Sequence, residues 1–191
     1  MDTLEAITTR RSVGKIKPER PPRELIERML EAAVQAPNHH LTEPWRFFVL
    51  AGEARSELGR VMSEALRKQL ADDAGEAGKA RLAKEIEKPL RAPVLIVVAV
   101  KRSENPRVVP IEDVEATAAA VENMLLAAQD MGLAAMWRTG EAAYDPAVKA
   151  FFGLGPEDHV VAFVYVGYAD REPGPRERIP ASEKTEWRGW D

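Results

Sequence analysis

The sequence predicts one mixed domain with more helix than strand, α+β or α/β on pattern alone. Three observations predict it. Val94 to Val100 is an unbroken apolar run rich in β-branched side chains, as in a strand buried on both faces. Ile111 to Met131 is Ala-rich, and its polar positions Glu115, Glu122 and Gln129 recur every seven residues on one stripe, as in a helix buried nearly all round. No internal repeat and no interdomain linker divides the 191 residues, a length that suits one domain with a sizeable core.

The elements follow in order. Asp2 is a helix N-cap with Glu5 three residues on, and Leu4 and Ile7 give that first helix an apolar side before Arg10-Arg11-Ser12. Pro21-Pro22 opens a second helix carrying Ile26, Met29, Leu30, Ala33 and Val34 at helical spacing, and Pro37 stops it. Trp45 to Leu50 reads as a strand ended by Ala51-Gly52, followed by a helix from Ala54 to Leu70 with Leu58, Met62 and Ala65 on one side. Residues 71 to 88 are charged and interrupted by Gly75 and Gly78, so they read as a mobile lid or a broken helix. Gly132 ends the Ala-rich helix as a C-cap glycine would. Leu133 to Trp137 is a short strand, Pro146 to Phe152 a short helix, and Val160 to Val166 a second β-type run. From Ala169 to Glu183 the chain is rich in Pro and charge and packs no core of its own, yet Trp187 and Trp190 follow.

Composition excludes several kinds of chemistry. A net charge of −4 argues against a broad basic face for nucleic acid. With no cysteine there are no disulfides, thiolate metal sites or redox dithiols, so redox chemistry here requires a bound cofactor. The histidines are His39, His40 and His159, too few and too poorly spaced to predict a metal site, with His39, His40 and Glu43 the one grouping that could bind a metal in principle. The longest strongly apolar run, Ala92 to Val100, is far below the roughly 20 residues that span a bilayer. No signal pattern opens the chain, and the expectation is a cytoplasmic protein without a membrane or nucleic-acid partner.

Common motifs are missing too. Gly153 and Gly155 have Asp158 where a dinucleotide-binding turn would place its third glycine. Neither a phosphate-binding loop ending in Lys-Ser/Thr, a Gly-x-Ser-x-Gly elbow nor a His-Glu-x-x-His pair occurs.

The remaining candidates are modest one by one. Arg10, Arg11 and Ser12 offer two guanidinium groups and a hydroxyl able to grip a phosphate, or form a solvated basic turn. Gln35 and Asn38 flank the helix stop and present amides for a polar ring edge, or for capping. His39 follows in a loop. Trp137, Arg138, Thr139 and Gly140 place a cation and a hydroxyl at a strand end, where glycine lets a ligand approach the backbone.

Together, however, Arg10-Arg11-Ser12, Ala36-Pro37 through Pro44-Trp45-Arg46-Phe47, Gly132-Leu133 through Trp137-Arg138-Thr139-Gly140, and Val166-Gly167-Tyr168 with Trp187 near the end resemble the nitroreductase family over nearly the whole chain. The resemblance is to its short NAD(P)H nitroreductase members. It implies an α+β three-layer sandwich, a central mixed or antiparallel sheet flanked by helices, in an intertwined homodimer with two FMN molecules at the subunit interface. Residues 1–191 would form a single domain whose 169–191 arm wraps the partner. By matching position, Arg10, Arg11 and Ser12 would bind the FMN phosphate and ribityl region, and Gln35 and Asn38 would lie near the flavin. His39 would reach the other subunit's FMN, while Trp137, Arg138, Thr139 and Gly140 would line the first subunit's. The flavin N5 would carry the hydride, so no catalytic side chain is required. The donor would be NADH or NADPH, and the partner a small-molecule electron acceptor. Longer family members carry a Pro-Glu-Gly-type flavin loop that has no counterpart here. Other reactions of the fold (dehalogenation, enone reduction, flavin breakdown) and a non-catalytic flavin-binding role therefore stay open beside nitro or quinone reduction.

Overall fold

The computed structural model describes residues 1–70 and 75–190. Four strands, β1 (Trp45–Ala51), β2 (Val94–Val100), β3 (Ala134–Arg138) and β4 (His159–Gly167), make one sheet in the spatial order β1-β2-β4-β3. Every pairing is antiparallel. Among the described residues the helices are α1 (Thr3–Thr9), α2 (Arg23–Ala33), α3 (Glu53–Gln69), α4 (Gly75–Glu87), α5 (Pro110–Asp130), α6 (Glu141–Tyr144) and α7 (Pro146–Phe151). This is an α+β three-layer sandwich.

The two central strands explain the layers. On β2, Val94, Ile96 and Val98 enter one core with Ala162, Val164 and Val166 of β4, beneath α2 and α5. Leu95 and Val97 enter the opposite core with Phe163 and Tyr165, against α3 and α7. Both faces are thus apolar, and the strand shows no polar alternation. Each such side chain contributes about 1.5–3 kcal/mol by leaving water. Between Val98 and Ala99 the register with β4 shifts: Val98 faces Ala162 and Ala99 faces Val160, so Val161 is the extra residue of a bulge. Val160 consequently joins the second core.

Helix α5 is the central support. Ala116, Ala120, Val121, Met124, Leu125 and Ala128 are buried along it, and small side chains let α2 pack closely. Asn123 Nδ2 donates to the Ala32 carbonyl near the end of α2 (3.2 Å). Gly132, at φ 71°, closes α5: Leu133 N–H returns to the Ala128 carbonyl and Gly132 N–H to that of Gln129. Along the polar stripe of α5, Glu115 is exposed and the other two residues reach α1. Glu122 meets Arg10, and Gln129 Nε2 donates to Thr9 Oγ1 (3.4 Å), so two of its three residues face the end of α1.

One element departs from the sequence reading. The segment expected as a lid or broken helix is helical over Gly75–Glu87 and continues as a 3-10 turn, Lys88–Arg91; residues 71–74 of that expectation lie outside the described residues. It is docked on α3, where Ser63 Oγ donates to the Leu82 carbonyl (3.1 Å). A Cβ on Gly59 would come within 2.4 Å of the Ile86 carbonyl oxygen, so glycine is what permits this contact. In α1, Asp2 caps as expected, its Oδ1 accepting from Glu5 N–H (2.8 Å), but Leu4 and Ile7 stay exposed and only Ala6 is buried. From Asp170 to Trp190 the described tail is exposed throughout, with Trp187 and Trp190 in edge contact.

Candidate functional site

The site begins where the chain leaves α1. Residues 12 to 17 run beside the strand ends: Ser12 bridges Ala135 of β3, Val13 N–H donates to the Ala135 carbonyl (3.1 Å), and Lys17 N–H to that of Tyr168 (2.8 Å). This lays the Arg10-Arg11-Ser12 segment against the start of the strand that ends in Trp137-Arg138. The two motifs, over a hundred residues apart in sequence, therefore share β3.

Each basic residue is held. Arg10 is mostly buried, and its Nε donates to Glu122 Oε1 of α5 (3.1 Å). Arg11 Nη1 donates to the Thr8 and Arg10 carbonyls (2.9 Å each), while its Nε is buried without a partner among the described residues. Ser12 is exposed and lines an open recess of about 460 Å³ with Gly14, Lys15, Arg171 and Glu172. Lys15 and Arg171 escaped the sequence reading. They meet because Asp170 N–H donates to the Lys15 carbonyl (3.0 Å), a pairing across the two ends of the chain that no local pattern announces.

At the far end of β3, Trp137 belongs to the α2–α5 side of the sheet, and its Nε1 donates to the carbonyl of the bulge residue Val161 (3.1 Å). Arg138 emerges beside a second recess, which Gly140 also borders. Thr139 and Gly140 are exposed, and Gly140, at φ 129°, leads into α6. Tyr165 lies nearby in the second core; burial pushes its hydroxyl above the usual tyrosine value, opposed by Arg91 and Arg138.

The loop after α2 goes elsewhere. Gln35 is exposed. Asn38 closes the loop on itself: its Oδ1 accepts from Glu43 N–H (3.0 Å) and its Nδ2 reaches the Ala36 carbonyl (3.4 Å). His39 Nδ1 donates to Glu112 Oε2 (2.8 Å) and its ring stacks on His40 at 3.9 Å. Thr42 Oγ1 donates to Oδ1 of the buried Asp113 (2.7 Å). His40, Leu41 and Glu43 all have positive φ, a concentration of left-handed non-glycine backbone that these contacts hold in place. The loop is thus tied to the first turn of α5, whereas Arg10 is tied to Glu122, ten residues or about 15 Å further along the helix. One chain sets Arg10 to Ser12 beside the start of β3 and Trp137 to Gly140 at its far end, while the loop carrying Gln35, Asn38 and His39 is tied to the first turn of α5.

What remains is a set of donors from Arg10, Arg11 and Ser12 beside the start of β3. No helix among the described residues is long and apolar enough to cross a membrane. A family model described as "Nitroreductase family" matches residues 7–168. The chain is 35% identical over 167 residues to the Escherichia coli (strain K12) protein named "Putative NAD(P)H nitroreductase YdjA", covering 87% of this chain and 88% of that protein. The crystal structure of a nitroreductase-like family protein from Bacillus cereus superposes with a TM-score of 0.80 at 30% identity, over 99% of this chain and 97% of that one. A nitroreductase with bound FMN from Bacteroides fragilis gives a TM-score of 0.73 at 25% identity, over 98% of both chains.

Proposed function

The chain belongs to the nitroreductase family, and on that premise we propose that it is an FMN-dependent oxidoreductase that uses NADH or NADPH to reduce small electron-poor acceptors such as nitro compounds or quinones. The observation that carries the reading is the Arg11 Nε, buried without a partner in a segment that already presents Ser12 and Arg10. An unmet buried donor costs about 1–3 kcal/mol. A phosphate oxygen accepts from such a group through a charge-assisted bond, so the residues present fit the cofactor.

Arg10, Arg11 and Ser12 would hold the phosphate and ribityl region, with Glu122 fixing the Arg10 head. Trp137 would stiffen the wall beside the ring through its bond to Val161, and Gly140 would let the ring approach the backbone. FMN supplies the two-electron chemistry that a chain without cysteine lacks. Donor and acceptor would use one open face in turn, which gives ping-pong kinetics.

Two copies would complete the site. The loop carrying Gln35, Asn38 and His39 stands away from Arg10 in its own chain, which suits residues that serve the partner's cofactor. Leu4, Ile7, Ile111, Trp187 and Trp190 are exposed, and the 169–191 arm would wrap the second subunit. Burial of such apolar surface drives association.

The test is cofactor content. Acid release from the purified protein is expected to yield one FMN per chain, with a dimer in sedimentation and a marked loss of flavin in Arg10→Ala. A colourless protein that cannot be reconstituted with FMN would overturn the reading.

A further inference from the structure

The second recess is lined by an unusual set of side chains. Arg81, Lys84, Lys88, Arg91 and Arg138 surround about 500 Å³ of open space, with Glu85 and Glu141 as the acidic members of the lining. Lys88 pairs with Glu85. Among the described residues Arg81, Lys84, Arg91 and Arg138 have no acidic partner. A protein of net charge −4 thus gathers five cations around one hollow.

The arrangement follows from the helix. Positions 81 and 84 fall on one face of α4, and Lys88 and Arg91 follow at the two ends of the 3-10 turn that continues it. Gly59 and Ser63 of α3 fix that helix, so the face is held toward the strand end where Arg138 emerges. Cations near a helix C-terminus offset its dipole, which accounts for Lys84 and Lys88. It does not account for Arg81, about two turns from the end, or for Arg138 on another element. Arg91 and Arg138 both line the recess, and both act on the Tyr165 hydroxyl in the second core.

We infer that this recess, formed by Arg81, Lys84, Lys88, Arg91 and Arg138, is the subsite for the phosphate groups of the reduced nicotinamide donor. The inference rests on the flavin-reductase reading above. Arg138 and Gly140 border both the recess and the proposed flavin wall, so a ligand anchored here extends to the place where hydride is taken up. From Arg81 to Lys88 the cations spread over about 10 Å of helix, too far for one small anion. That span suits a pyrophosphate together with a ribose phosphate. Guanidinium groups grip phosphate oxygens in pairs, while the lysines act as point charges.

The probes are NADP⁺, NAD⁺, adenosine 2′,5′-bisphosphate and adenosine, titrated calorimetrically into the flavin-loaded protein. The bisphosphate is expected to bind at least about tenfold more tightly than adenosine, with affinity that declines as salt rises. Arg81→Gln combined with Lys84→Gln, both on the surface, is expected to weaken NADP⁺ and the bisphosphate about tenfold or more and to raise KM for the donor without loss of bound FMN. Lys79→Gln, on the same helix but paired with Glu76, is expected to leave these affinities unchanged. Unchanged nucleotide affinity in the double variant would overturn the inference. So would loss of FMN, which would assign the recess to the cofactor, or a rise in KM confined to an anionic acceptor. A wild-type protein that takes up no FMN would sink the reductase reading instead, and the bisphosphate titration would still judge the recess by itself.

Discussion

Arg10 Nε and Glu122 Oε1 lie 3.1 Å apart, joining the end of the first helix to the middle of the central one. The carboxylate uses one nitrogen of the guanidinium and sets its direction; the two Nη groups have no partner among the described residues. On the proposed reading, Glu122 would position an arginine that holds the FMN phosphate. Glu122→Gln keeps the shape and loses the charge, and is expected to weaken FMN several-fold without altering which nucleotide reduces it. Fluorescence titration of apoprotein with FMN checks this, and an unchanged dissociation constant would remove Glu122 from the site.

Thr42 and Asp113 provide a second test. Asp113 is buried, and among the described residues its carboxylate accepts from Thr42 alone. Thr42→Val removes the donor while filling the space, and leaves a buried carboxylate oxygen unmet. The expected loss is about 1–3 kcal/mol in urea unfolding. A change under about 0.5 kcal/mol would show that water replaces the hydroxyl there.

Gly59→Ala probes the docking of α4. The added methyl meets backbone, not a movable side-chain end, so α4 must lift from α3. Overpacking of this kind costs about 1–3 kcal/mol. Limited proteolysis within α4 should accelerate in step with the lowered Tm; equal cleavage rates would mean that the helix shifts without opening.

The alkaline limb of stability should report Tyr165. Burial raises its folded-state value above the ordinary 10.0, and Arg91 and Arg138 oppose that. A raised folded value means that the folded protein keeps the proton longer. This contribution is complete below the ordinary value and is lost as pH rises through the raised one. Tyr165→Phe is expected to flatten the fall of Tm as pH rises above about 10. An identical slope in the variant would exclude Tyr165 as its source.

Much of this architecture is legible from residue pattern because burial leaves a periodic trace. Val94 to Val100 announces a central strand, and the small residues of α5 announce close packing, since both faces of each must exclude water. The bulge at Val161 leaves no trace, because Val160, Val161 and Ala162 are interchangeable as apolar strand residues. Gly75 and Gly78 suggested a break where α4 is helical: Gly75, at φ 58°, starts it, and Gly78 is buried within it. Positive φ at His40, Leu41 and Glu43 is invisible because none is glycine. In the site, the Arg10 and Trp137 motifs stand out by composition. Glu122, Lys15 and Arg171 do not, because their roles arise from contacts between distant parts of the chain. The basic face of α4 was present as spacing, but without Arg138 opposite it reads as an ordinary solvated helix.

One measurement addresses the central claim most directly. The visible spectrum of the purified protein is recorded without oxygen, before and after one equivalent of NADH or NADPH. A flavin absorbance that bleaches within seconds and returns on addition of a nitroaromatic or quinone is the predicted result. A flavin that stays oxidised with both nucleotides would contradict the account and leave a flavin-binding protein without reductase activity.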